Sequence, residues 1–178
     1  MAKIIYKKGC EGQNRLGCIE GIEISLLNGQ KALIYPKYGN KALLEDKDRM
    51  NWNAEPVTEI EALKLEDNVA ATAGLAKAGS PAALFATGFS SERFGKFGLP
   101  TLLAALEITA QKSEIDELAR GVDGADLLED YSSYVWSCSR YGSSGGWIAS
   151  GGYGFAASNY LSSRFAAVPL VLLNVAGG

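Results

Sequence analysis

Residues 131–178 read YSSYVWSCSRYGSSGGWIASGGYGFAASNYLSSRFAAVPLVLLNVAGG. After Asp130 the chain has no further Asp, Glu, Lys or Gln, and Arg140 and Arg164 are its only charged side chains. Ser, Gly, Tyr and Asn with an occasional Arg suit a surface built to touch other molecules, because Tyr offers rigid amphipathic area while the small polar residues adapt their hydrogen bonds. A Gly/Ser-rich tract can also be a flexible linker. Here Trp136, Trp147, Tyr153, Phe155, Tyr160 and Phe165 recur through it, and segments that stay disordered are poor in such residues. The tract is therefore expected to fold. Its closing run, residues 165–173, is continuously apolar and reads as one core strand. The part between Ser139 and Arg164 is too small and polar for a buried meander, which leaves a recognition surface.

Working back from this stretch, residues 124–130 form an acidic turn. Pro100-Thr101 opens the best-marked helix: Thr101 can cap it, and Leu102, Leu103, Leu106, Ile108, Ile115 and Leu118 mark a broad apolar stripe through Arg120. Gly121 is the stop. The charged side of that helix, Glu107, Lys112, Glu114, Asp116 and Glu117, reads as ordinary surface. Residues 90–98 read as a loop, residues 81–89 as a short apolar helix, and residues 55–77 as a longer helix ended by Gly79-Ser80-Pro81.

Nearer the N-terminus, residues 3–7 and 19–27 read as strands. Asn28-Gly29 is the dipeptide of a two-residue type I′ hairpin turn, with residues 31–35 returning. Residues 37–53 read as irregular and solvated, and Trp52 as a core or loop anchor.

Composition excludes several function classes. The 178 residues suit one domain with a core of its own, and a net charge of -3 gives no basic face for nucleic acid. There is no histidine, which removes every triad that uses one as base. The three cysteines lack the close spacing of a zinc site, so neither a metal nor a cofactor is expected. Cys10 and Cys18 flank a polar loop and are expected as free thiols, able to pair in an oxidising compartment. Cys138, beside Trp136, is expected to pack as a small hydrophobe. The opening MAKIIYKKGCEG lacks the apolar core of a signal peptide, and no stretch is long enough to span a bilayer. Synthesis in the cytoplasm is the expectation.

Several of these features occur together in a pattern. Gly98-Leu99-Pro100-Thr101 precedes a helix; an acidic turn follows, then Tyr134-Val135-Trp136-Ser137-Cys138-Ser139, then Gly146-Trp147, then a Gly-rich hairpin ending in Arg164-Phe165-Ala166-Ala167-Val168. Over residues 98–173 this resembles the C-type lectin-like fold, within it the formylglycine-generating-enzyme-like group, and more narrowly the variable proteins of diversity-generating retroelements of phages and bacteria. Phe165 and Ala166 stand where the usual ending has Val and a second Arg, and Val135 and Cys138 interrupt its Tyr-Trp-Ser-Ser.

The resemblance implies an α+β chain with two main helices around small antiparallel sheets. With the length and strand pattern read above, the expectation is a single domain over 1–178, with an N-terminal hairpin and loop over 1–55 that the resemblance does not cover, the lectin-like portion over 56–178 and a variable region over about 131–173. The resemblance also implies a non-enzymatic binder of a protein or carbohydrate ligand on a target surface, hypervariable at its C-terminal surface and displayed by a phage or by a cell; the lack of a signal peptide favours a phage or prophage protein associated with the virion. Homo-oligomerisation is left open, and a structural virion subunit or a fixed-specificity lectin-like module is the alternative. In such elements mutagenesis acts at adenines, so diversified Asn-type codons do not yield Lys, Glu, Gln, Met or Trp; Trp147 would then be a fixed scaffold residue. Alternation outward from Trp147 puts Ile148 and Ser150 on the opposite, exposed face. With the flanking loops, the expected binding surface is Arg140, Tyr141, Ser143, Ser144, Ile148, Ser150, Tyr153, Ser158, Asn159 and Tyr160. Arg140, Tyr141, Tyr153 and Tyr160 would be its anchors. Calcium needs several oxygen ligands and no carboxylate side chain follows Asp130, so binding is expected to be calcium-independent.

Overall fold

A computed structural model describes residues 1–43, 59–65, 67–77, 79–131, 134–141, 145–150, 155–160 and 164–173. Within them the chain is mixed α+β. One sheet holds β1 (Lys3–Tyr6), β2 (Ile19–Ser25), β3 (Lys31–Ile34) and β11 (Leu170–Leu173), in that order and antiparallel throughout. A second has the order β4 (Gly39–Leu43), β10 (Arg164–Ala167), β7 (Tyr134–Tyr141), β8 (Gly145–Ser150) and β9 (Phe155–Tyr160). It is antiparallel except between β10 and β7. A two-stranded ribbon, β5 (Ser90–Ser91) and β6 (Gly95–Lys96), lies within the stretch read from sequence as loop.

The hairpin after β2 forms where the alternating pattern puts it, but its turn sits one residue early. The Gly29 N–H donates to Leu26 O at 2.9 Å and the Leu26 N–H to Gln30 O at 2.8 Å, so Leu27 and Asn28 are the central pair. Gly29, at φ 84°, supplies the left-handed residue that rejoins the strands. This is the three-residue loop of a turn followed by a bulge, not the two-residue type I′ turn.

The two long helices expected from sequence are each broken in two. Residues 55–77 contain α1 (Glu59–Lys64) and α2 (Asn68–Lys77), because the Asp67 carboxylate accepts from the Ala70 N–H at 3.0 Å and caps a new helix. Residues 102–120 contain α4 (Leu102–Ala110) and α5 (Lys112–Arg120). The break falls at Gln111, whose side-chain amide donates to Ser25 O and to Glu107, both at 2.8 Å, tying the joint to β2. Thr101 caps α4 as expected, accepting from Ala104 at 3.2 Å, and Gly121 ends α5. α3 (Pro81–Thr87) is capped by Ser80.

Burial also departs from the expected stripe. Ala104, Ala105 and Ile108 are fully buried on α4, while Leu103 and Leu106 are half-buried. Small side chains suit the tight space, because α4 shares one apolar cluster with Ile22, Ile24 and Ile34 of the first sheet and Val135, Ala149 and Ala166 of the second. The other face of the second sheet, Trp136, Cys138, Ile148 and Phe165, packs on Leu75 of α2 and on Ala82, Ala83 and Ala86 of α3. Leu33 and Val171 fill the remaining face of the first sheet with Phe97.

Two segments read as one element or as none are strands in different sheets. The apolar run 165–173 divides at Val168-Pro169, so that β10 joins the second sheet and β11 the first. Residues 39–43, read as solvated, pair with β10. The division at residue 55 is thus crossed by two strand pairings, β4 with β10 and β11 with β3. Trp52 lies outside the described residues.

A buried polar node joins these layers. The Asn68 amide donates to Leu99 O and Leu170 O, each at 2.9 Å. The Thr72 hydroxyl donates to Asn68 O at 2.6 Å and accepts from the Leu99 N–H at 2.9 Å. Gly98 and Leu170 exchange both backbone bonds at 2.8 Å. A Cβ at Gly98 would lie 2.6 Å from Thr72 Oγ1, so only glycine allows this approach.

Asn68→Ala is expected to lower unfolding stability by about 2–3 kcal/mol, the cost of leaving a buried acceptor without its donor. Gly98→Ala is expected to act in the same direction. Denaturant midpoints at unchanged slope check both.

Candidate functional site

The site is built on the three strands β7, β8 and β9, and its geometry is set by a bulge. Trp136 pairs with Ile148, and the next pairing along the ladder is Arg140 with Gly146. Ser137, Cys138 and Ser139 therefore stand against Trp147 alone. Their backbone groups bond elsewhere: the Cys138 N–H donates to Pro100 O at 2.8 Å, and the Ser139 N–H donates to Ser137 Oγ at 3.2 Å. A bulge bends its strand and resets which residues lie opposite one another, and bulges gather beside functional sites.

Beyond the bulge the register forms two rows. Arg140 lies opposite Gly146, which lies opposite Asn159; Tyr141 lies opposite Gly145, which lies opposite Tyr160. With strands about 4.8 Å apart, the outer members of each row are about 10 Å from each other along the backbone ladder. The middle strand contributes only glycine to both rows. Glycine inside a strand weakens the sheet and commonly marks a place where something approaches closely. Gly145 and Gly146 were absent from the residues expected from sequence, although a Gly pair within a strand is the signal that would have found them.

The remaining expected residues are distributed differently. Ser158 pairs with Trp147, one row inward from Arg140. Ser150 is at the opposite end of β8, paired with Tyr134 and Phe155, so it does not join the group. Ser143, Ser144 and Tyr153 lie outside the described residues.

Ile148, expected on the exposed face, is a core residue. It is 1% exposed and packs with Trp136, Leu75 and Phe165. Alternation does place Ile148 opposite Trp147, but helices cover both faces of this part of the sheet. Trp147 packs on Ala62 of α1 and Leu102 of α4, and Ala149 is fully buried as well. The stretch between Ser139 and Arg164 thus includes core strand, against the expectation from its small polar composition.

The titratable groups nearby are held in structural positions. Cys138 is buried, and burial pushes its thiol up to about 12, the opposite of what a reactive cysteine needs. Asp116, expected as surface, is 2% exposed and accepts the Leu128 and Glu129 N–H groups at 2.6 and 3.0 Å. Asp126 accepts from the Tyr38 N–H at 3.0 Å and the Tyr131 hydroxyl at 2.9 Å, and pairs with Lys37 at 3.4 Å. These bonds order the acidic turn that feeds β7. Among the described residues, no group of three or more Cys, Asp or Glu is placed to hold a metal ion, and no helix is long and apolar enough to cross a membrane.

Ile148→Ala is expected to cost about 2–5 kcal/mol, as for other buried large-to-small changes, whereas an exposed position would change by less than about 0.5 kcal/mol. Denaturation measures the difference. For Cys138 the raised folded value means that the unfolded chain releases the thiol proton first, so its contribution is complete below the ordinary value of 9.0 and is lost as pH rises from there towards about 12. Wild type is expected to lose stability faster than Cys138→Ala across that window in urea titrations at stepped pH.

Comparison with protein-family models, with curated proteins and with solved structures finds no match for the chain.

Proposed function

We propose that the protein is a non-enzymatic binder whose ligand docks on the Arg140, Tyr141, Asn159 and Tyr160 end of the second sheet, and that this surface is diversified by a retroelement as in the phage and bacterial variable proteins it resembles. The observation that carries this reading is the pair of cross-strand rows. Positions 140 and 159 share one row and positions 141 and 160 the next, each pair flanking a glycine, and since successive rows alternate between the faces of a sheet, the two rows present this end of the sheet on both its faces. Tyr and Arg are the residue types that most often dominate binding energy.

The scaffold supports the same reading. Trp136, Trp147, Ile148 and Ala149 are buried, so the sheet is anchored by packing next to the rows and residues in them can change without refolding it. Trp147, a residue type that the diversified codons do not yield, is a buried scaffold residue. A lectin-like arrangement of residues 98–173 belongs to this proposal, as does virion association. The inert Cys138 speaks against chemistry of the formylglycine-generating kind, which relies on reactive cysteines.

Two measurements test the proposal. The DNA encoding residues 131–173, sequenced across a population with its surroundings, is expected to reveal a nearby near-copy differing mainly at adenines, with substitutions at 140, 141, 159 and 160. Uniform codons with no such copy would refute diversification. Binding to an array of glycans and purified cell-surface proteins is expected to fall more than about fivefold for Tyr141→Ala or Tyr160→Ala, and by less than about twofold for Ser150→Ala. Equal effects at all three would refute the location of the site.

A further inference from the structure

The loop between β1 and β2 brings two cysteines to one place. The Lys7 N–H donates to Cys18 O and the Cys10 N–H to Lys7 O, both at 3.0 Å, so the loop closes with Cys10 and Cys18 at its mouth. Gly9 and Gly12, at φ 82° and 80°, make the turns between them. Arg15 Nε donates to Cys18 Sγ at 3.0 Å, and the Cys18 thiol donates to Gln13 Oε1 at 3.4 Å. Cys18 is buried, whereas Cys10 is half-buried. A small oxidant therefore fits this site better than a bulky disulfide.

We propose that Cys10 and Cys18 form a peroxide-sensitive dithiol, with Cys18 as the attacking sulfur, Cys10 as the resolving thiol and Arg15 as the residue that poises Cys18. This site is independent of the ligand surface on β7 to β9. The two thiols are tuned in opposite directions. The neighbouring Cys10 and then Arg15 lower Cys18, while the neighbouring Cys18 and then burial raise Cys10. That division suits an attacker that ionises first and a partner that keeps its proton until the second step.

The chemistry balances with hydrogen peroxide as the two-electron oxidant. The Cys18 thiolate attacks one peroxide oxygen, the O–O bond breaks, and the departing hydroxide takes up the proton Cys18 released, giving water and a sulfenic acid. Cys10 sulfur then attacks Cys18 sulfur. The S–O bond breaks, and the leaving hydroxide takes the Cys10 proton as a second water. Two thiols and one peroxide become one disulfide and two waters.

The consequence reaches past the loop. The Leu16 N–H donates to Asp123 O at 2.8 Å and the Asp123 N–H to Asn14 O at 2.9 Å, so a closed disulfide clamps the segment that leads through the acidic turn to β7.

The test uses the full chain titrated with hydrogen peroxide and mapped by mass spectrometry without reduction. A loss of about 2 Da localised to a Cys10–Cys18 link, with Cys138 still a thiol, is expected. Arg15→Leu is expected to slow its formation about tenfold at neutral pH, because less Cys18 is ionised. In Cys10→Ser, the sulfenic acid is expected on Cys18, where dimedone traps it. Intermolecular dimers, over-oxidised Cys18 beside an alkylatable Cys10, dimedone on another cysteine, or an unchanged rate in a folded Arg15→Leu would each overturn the proposal. If Arg15→Leu does not fold, the wild-type map and the Cys10→Ser adduct decide it.

Discussion

The Asn68 amide bonds two backbone carbonyls at once, Leu99 O and Leu170 O, in a place from which water is excluded. An unpaired donor or acceptor there costs a substantial part of a domain's net stability, so the three segments that supply the partners are held in one arrangement. They are the start of α2, the Gly98–Pro100 link and β11. From that node the geometry propagates outward. Thr72 fixes Leu99, Gly98 fixes Leu170, and Pro100 takes the Cys138 N–H that the bulged strand β7 does not give to β8. The polar node, rather than any single apolar contact, sets where the candidate binding strands begin.

Around the node the chain spends its apolar residues economically. α4 lies against both sheets and buries Ala104, Ala105 and Ile108 completely. α2 and α3 close the opposite face over Trp136 and Ile148. Both faces near the centre of the second sheet are thereby committed to packing. The proposed ligand surface is the end of the sheet past the bulge, where glycine occupies the middle strand and Arg, Tyr and Asn the outer ones. Rigidity beside the rows and adaptable composition within them are compatible because they lie on different stretches of the same strands.

The loop holding Cys10 and Cys18 is joined to this arrangement through Asp123, whose backbone bonds Asn14 and Leu16. Asp126 and Asp116 continue that connection by ordering the turn ahead of β7 with backbone N–H bonds. A sequence of acidic residues that looks like solvated surface is here a set of internal acceptors.

Much of this was written locally in the chain. The alternation over residues 19–25, the cap at Thr101 and the stop at Gly121 follow from side-chain type and spacing, because each depends on neighbours within a few residues, and the burial of Trp136 and Cys138 follows from side-chain type. Other features depended on residues far apart in sequence. Asp67 and Gln111 break helices that periodicity reads as continuous, since their partners are a local cap in one case and a strand 86 residues away in the other. Strict alternation gave Ile148 the right face but could not tell that α2 and α3 cover that face. The three-against-one bulge, the split of residues 164–173 between two sheets and the rows that unite positions 140 and 159 are set by long-range pairing. A one-residue change in register reverses a strand's faces while its sequence stays the same, and only the assembled sheet fixes it.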